Sequence, residues 1–266
     1  MNDLEMGVRR FGRVNWLGMW TLIKREIMRF WAVWTQTLLA PLVTAGLFVL
    51  IFSIAIGPSR GDVMGVPFTV FLAPGIMTMT VIQNAFANTS SSLVISKVQG
   101  NIVDTLMPPL SPAEIVIGYL VGATARGFLV ATGIAAGFVL VLGISIANPI
   151  WLIVFIALGG ALMGAIGIVA GVFANKFDQM AAITNFIVTP LAFLSGTFYS
   201  VSALPESLQV ITRFNPIFYL IDGARYGMIG VSDGAPWFGL AVVVGALLVV
   251  LVLAWWLFKT GYRLKS

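Results

Sequence analysis

Six stretches of this chain are long and apolar enough to form a membrane-crossing helix: roughly 33–57, 68–93, 115–144, 150–174, 180–199 and 236–258. A hydrocarbon layer about 30 Å thick is crossed by about 20 apolar residues in a helix, and backbone within it must satisfy its own hydrogen bonds. The pattern predicts an all-α integral membrane protein with six transmembrane helices, one domain over residues 1–266. Composition agrees: 59% of residues are hydrophobic and 9% charged, where soluble domains carry about 25% charged residues. No internal repeat or low-complexity segment divides the chain.

Six spans place both ends on one side. Arg9, Arg10, Arg13, Lys24, Arg25 and Arg29 precede the first span, and Lys97, Lys176, Lys259, Arg263 and Lys265 fall on the same face; Arg60, Arg213 and Arg225 fall on the other. The positive-inside rule then predicts cytoplasmic termini. The net charge of +5 is read as membrane orientation, with no patch suited to nucleic acid. The first thirty residues contain no uninterrupted apolar region followed by a cleavage site, so no cleaved signal peptide is expected.

Two segments are not expected to cross. Over 15–31, Trp16, Trp20, Ile23, Ile27, Phe30 and, just beyond, Trp34 recur at helical spacing while Lys24, Arg25, Glu26 and Arg29 fill much of the remainder. That reads as an amphipathic interfacial helix against membrane lipid, or as a basic start to the first span. Residues 201–236 are too polar to cross, and Asn215–Pro216 is a helix-start signal. The stretch 204–229 is read as two short re-entrant helices before the last span, the alternative being a plain surface loop.

Absences narrow the chemistry. With no Cys and no His, thiol chemistry and the usual nitrogen and sulfur metal ligands are excluded; no metal site and no catalytic residue is expected. No lysine follows a glycine, so a phosphate-binding P-loop is impossible. No Asp or Glu lies deep in a span, which speaks against an ion-coupled carrier and against a membrane hydrolase. The one intramembrane charge is Arg126, either a structural arginine that snorkels or a substrate contact. Polar residues within the spans either glue helices together or line a pathway. The pathway candidates are Asn84, Asn88, Asn185, Thr189, Phe193 and Tyr199, with Phe86 and Phe186 beside them, a set that suits an amphipathic lipid-like or drug-like molecule.

Between the second and third spans lies GNIVDTLMPPLSPAEIVIGYL, residues 100–120. Ser111, Pro112 and Glu114 match a capping box with proline at the first helical position, so the third span has a fixed start. Upstream, Ile102, Val103, Leu106 and Met107 are read as one apolar face of a short helix with Asp104 pointing elsewhere, and Pro108–Pro109 stiffen the connection. Such a helix is either a docking element that passes force or one that packs on its own span ends.

Together with FLAPGIM (71–77) and FLSGTFYSVSALPESLQVITRFNPIFYLIDGARYGMIG (193–230), this stretch resembles the membrane subunit of type-2 ABC exporters, the permease family that serves drugs, lipids, nodulation factors and capsular polysaccharides. The resemblance covers essentially the whole chain. It implies a pair of six-span permeases in the cell (inner) membrane of a bacterium, a homodimer or a heterodimer with the homodimer expected, and two cytoplasmic ATP-binding subunits that carry ATP and magnesium. It makes 101–107 the coupling helix, with Ile102, Val103, Asp104, Leu106 and Met107 as the ATPase-coupling residues. The function expected is export of an amphipathic substrate by a subunit that is not itself an enzyme. The alternatives are a polysaccharide or glycolipid exporter of the same family, an ion-coupled carrier, and a non-transporting membrane anchor or assembly factor.

Overall fold

The computed structural model describes residues 12–264, so Arg9, Arg10 and Lys265 lie outside the described residues. Helix α1 (Trp16–Trp31) leads through a π-helical turn (Thr35–Leu39) into α2 (Ala40–Ala55). A short α3 (Gly57–Arg60) and an antiparallel hairpin, β1 (Asp62–Val63) with β2 (Val66–Pro67), reverse the chain. Met64 and Gly65 both take positive φ, the twist that a two-residue hairpin requires. Then come α4 (Phe68–Val98), α5 (Ile102–Leu106), α6 (Pro112–Leu142) and α7 (Pro149–Phe173). Helix α8 (Phe177–Ile183), a second π turn (Thr184–Val188) and α9 (Thr189–Phe193) form one helical run. Helices α10 (Glu206–Arg213), α11 (Pro216–Ile229) and α12 (Pro236–Thr260) close the bundle.

Five helical runs among the described residues are long and apolar enough to cross a membrane: 35–55, 68–98, 112–142, 149–173 and 236–260. The run at 177–193, roughly 25 Å long at 1.5 Å per residue, starts and stops earlier than the expected 180–199. It stops where hydroxyls turn back on its last carbonyls: Ser195 Oγ donates to Leu191 O (2.5 Å) and Thr197 Oγ1 to Ala192 O (2.7 Å). Gly196 between them has φ +75°. The stretch 204–229 is no surface loop. It forms α10 and α11, and α11 is largely buried against α4, α7 and α12. Its start follows the sequence signal, with Asn215 Oδ1 accepting the Ile217 N–H at 3.0 Å.

Helix α4 is the centre of the bundle and packs on α7, α6, α11 and α2. Small residues on α7 allow the approach. A Cβ on Gly167 would lie 2.5 Å from Phe86 O, and one on Gly164 would lie 2.7 Å from Ala123 Cβ. Thr89 Oγ1 uses this closeness to donate to Gly164 O at 2.8 Å.

Helix α1 forms as expected, but its faces are redrawn. Trp16, Trp20 and Trp31 are exposed, whereas Met19, Leu22, Ile23, Glu26 and Phe30 are buried. Glu26, read as part of the polar face, is wholly inside. The cause lies on α6, where Gly118 and Gly122 form a groove; added Cβ atoms there would lie 2.6 Å from Leu22 Cδ2 and 2.6 Å from Glu26 Cβ.

Candidate coupling joint and interhelical cleft

At the α5 end of the bundle, the start of α6 carries the expected capping box. Ser111 Oγ accepts the Glu114 N–H, and Glu114 Oε2 accepts the Ser111 N–H at 2.6 Å. Its other oxygen, Oε1, accepts the Asn15 N–H at 2.7 Å, so one carboxylate fixes the starts of both α6 and α1. Arg25 of α1 extends the joint, donating to Thr105 Oγ1 of α5 (3.0 Å) and to Tyr119 Oη of α6 (3.2 Å). Behind it, Glu26 accepts from Ser92 Oγ of α4 at 2.8 Å and pairs with Arg25 (3.4 Å) and Arg29 (3.2 Å). Arg29 in turn donates to Asn88 O (2.5 Å) and Oδ1 (3.1 Å) of α4. Four elements, α1, α4, α5 and α6, thus meet through charge-assisted hydrogen bonds, the stronger class.

The apolar stripe of α5 is divided. Ile102 is buried with Leu22, Leu93 and Ile115, and Leu106 packs on the same cluster, whereas Val103, Asp104 and Met107 face outward. The single face of four apolar residues expected from sequence is therefore corrected to two faces, because a helix this short sits on the bundle through one side. Beside it lies a cavity of about 650 Å³ bordered by Val103, Met107, Lys97 and Arg263. Lys97, counted only as an orienting charge, donates to Val172 O (2.6 Å) and Ala174 O (2.9 Å) and so caps the C-terminus of α7.

A second opening, a cleft of about 450 Å³, runs between α2, α4 and α9. Asn84, Thr189 and Phe193 line it, as the pathway reading expected, with Gln36, Thr80 and Gln83. Asn88, by contrast, is buried one turn along α4, and Asn185 and Phe186 face outward from the π turn. Phe86 belongs to the core, and Tyr199 is half-buried away from the cleft lining. A stack of rings that sequence reading missed continues from Phe193: Phe198 lies 5.2 Å from it, 4.9 Å from Phe52 and 6.0 Å from Phe48. Arg126 donates to Asn84 Oδ1 at 3.0 Å, and so stands directly behind the cleft wall.

The hairpin end holds a third polar cluster. Arg225 is fully buried, 3.5 Å from Asp222 and 3.7 Å from Asp233, over the Phe71 ring at 4.2 Å. It donates to Gly196 O at 2.5 Å, and Asp233 accepts from Ser200 Oγ, so the segment after α9 is tied to α11 and to the loop before α12. Burial pushes the Asp222 carboxyl up to about 6, against the Asp233 N–H and Arg225, which hold it down. The Asp222–Arg225 spacing of one helical turn was the available sequence signal.

Several apolar crossings, a polar-to-aromatic cleft and a charged joint define a multi-pass membrane protein. The ABC-2 type transporter family matches residues 18–229. Inner membrane transport permease YadH of Escherichia coli K12 is 34% identical over 251 residues, covering 94% of this chain and 98% of the relative. Nodulation protein J of Rhizobium leguminosarum bv. viciae is 27% identical over 226 residues, covering 82% and 84%. Nodulation protein J of Rhizobium meliloti is 24% identical over 239 residues, covering 88% and 87%. The chain belongs to the ABC-2 type transporter family, and the resemblance carried by 71–77, 100–120 and 193–230 is borne out. It is a membrane transport permease subunit, a role that is not itself catalytic.

Proposed function

We propose that this chain is the permease of an ATP-driven exporter, working as a pair of copies with two ATP-binding subunits that hold ATP and magnesium. The observation that carries the reading is the continuity from α5 through Arg25, Glu26 and Arg29 to α4, which lines the cleft one turn further along. In this reading the outward face of α5, Val103, Asp104 and Met107, meets the ATPase, while Ile102 and Leu106 anchor the helix. ATP binding moves α5; the joint carries that movement to α1, α4 and α6; the cleft between α2, α4 and α9 opens. The run 177–193 serves as the fifth of six crossings, α10 and α11 dip back from the outer face, and both termini are cytoplasmic, in keeping with the Lys and Arg distribution. Location in a bacterial inner membrane is supported by the name of the Escherichia coli relative.

The substrate is an amphipathic lipid-like molecule taken from the cytoplasm or inner leaflet. Neutral amides and hydroxyls at one end of the cleft and stacked rings at the other suit a polar head and an apolar body. A glycolipid is the second reading, favoured by the same ring stack, since sugars also lie on aromatic faces.

The test is reconstitution with the ATPase in liposomes and measurement of the movement of a fluorescent lipid. ATP-dependent movement that survives an uncoupler is the expected result; movement abolished by the uncoupler and indifferent to ATP would sink the reading. Val103→Asp and Met107→Asp place charge on the proposed contact without touching the buried side of α5. Both should abolish co-purification of the ATPase at unchanged permease level in the membrane.

A further inference from the structure

We propose that Arg29 of α1 and Arg126 of α6, bound to Asn88 and Asn84 one turn apart on α4, together bind a phosphate-type oxyanion that enters from the cleft at Asn84. The proposal rests on reading the cleft as the substrate path, and it assigns that substrate an anionic head. Among the described residues two guanidinium groups, Arg25 and Arg29, share the carboxylate of Glu26, and a third, Arg126, binds Asn84 of the same helix α4 that Arg29 holds at Asn88. Glu26 is engaged by Arg25 and Arg29, which leaves Arg126 with the neutral Asn84 as its hydrogen-bond acceptor. Arg29 and Arg126 carry the same charge and bind side chains one turn apart on α4. Charge of one sign gathered within a membrane bundle is unfavourable until an opposite charge joins it.

The donors for that charge are in place. Arg29 Nε, Arg126 Nε and Asn88 Nδ2 are buried and have no hydrogen-bond partner among the described residues. Asn84 and Asn88 lie one turn apart on α4, each accepting from one of the two arginines. Two guanidinium groups flanking one helix face can hold an oxyanion through several charge-assisted bonds, the recognition at which arginine excels. Asn84 also borders the cleft, so an anionic head at this site would leave its apolar body on the path towards Phe193 and Phe198.

The test measures binding of dodecyl phosphate to the full chain in nanodiscs of phosphatidylcholine, without nucleotide, with empty discs subtracted and an uncharged dodecyl maltoside as comparison. Saturable binding of the phosphate is expected to weaken about tenfold or more in Arg126→Gln, as for loss of a charged hydrogen-bonding group, and to survive in part in Arg126→Lys. Asn84→Asp supplies an internal anion to Arg126; it should fold at least as well as the unaltered chain and lose dodecyl phosphate binding. Competition by inorganic phosphate would identify a site for the free oxyanion, and competition only by phosphatidylglycerol in the disc a site for a lipid headgroup; either supports the proposal. Equal binding by Arg126→Gln and Asn84→Asp, or dodecyl maltoside binding as well as dodecyl phosphate, overturns it. Because no ATP is used, loss of this binding with ATP-driven transport intact sinks only the anion site, and the converse sinks only the exporter reading.

Discussion

Helices α4 and α7 and the helices α2 and α8–α9 all consist largely of uncharged residues, yet they play opposite parts. In the apolar stretches of α4 and α7, 78% and 61% of residues are buried; in that of α2, 11% are. The inner pair is joined at glycines and by side-chain hydrogen bonds, whereas the outer walls lie on the bundle with most of their surface free. Those walls share a further feature. TQTLLAP (35–41) and TNFIVTP (184–190) each hold a π turn followed by a proline two residues on. A proline ring clashes with the carbonyl four residues earlier, and a widened turn removes the clash. The contrast teaches that the bundle separates a rigid centre from two walls whose hydrogen-bond ladders are already interrupted beside the cleft, where π turns are often found at functional sites.

The largest expected effect is on the centre. Gly167→Val should leave no folded protein, read by fluorescence-detected size exclusion of solubilised membranes, because the added side chain meets Thr89 and the backbone of Phe86. Gly46→Val on α2, which meets nothing within 4 Å, should leave the same profile unchanged. Equal behaviour of the two would erase the distinction between centre and wall. Next, Arg225→Met strands Asp222 and Asp233, and breaking a buried pair costs about 3–5 kcal/mol; a thermal melt in detergent should register it as a large drop. Pro41→Ala and Pro190→Ala allow the π turns to relax. They should slow transport severalfold while ATP hydrolysis and melting temperature are held, and unaltered transport would show that the walls do not bend there. The smallest effect is Ser111→Ala, where loss of a cap costs about 0.5–2 kcal/mol; transport per ATP should fall modestly.

Local devices were legible in the sequence and long-range ones were not. The Ser111–Glu114 box and the Asn215 cap depend on residues within one turn, and both stand as read. The five long apolar helices follow from length alone. Asn84 and Asn88 share one face of α4, and periodicity could not tell that Arg29 of α1 covers Asn88 while Asn84, a turn away, reaches the cleft. Glu26 looked solvent-facing because the groove that receives it, Gly118 and Gly122, is formed by a helix far along the chain. The run 177–193 ends early through Ser195 and Thr197, whose hydroxyls looked like span residues until their acceptors were known. Arg225 was counted as a free outer charge because Asp233 comes to it only in the folded chain.

The carboxylate of Glu114 has a consequence for how the molecule is made. It holds the Asn15 N–H across a separation of 99 residues, and chains are synthesised at about 5–20 residues per second. Helix α1 is therefore complete for on the order of 5–20 s, by the same rate, before its anchor exists. During that interval its exposed tryptophans can rest on the lipid surface, while Glu26 and its neighbouring arginines await the groove of α6. Helix α1 thus docks only after α4 and α5 have been made, and the joint at α5 closes once the start of the third long helix, α6, has followed.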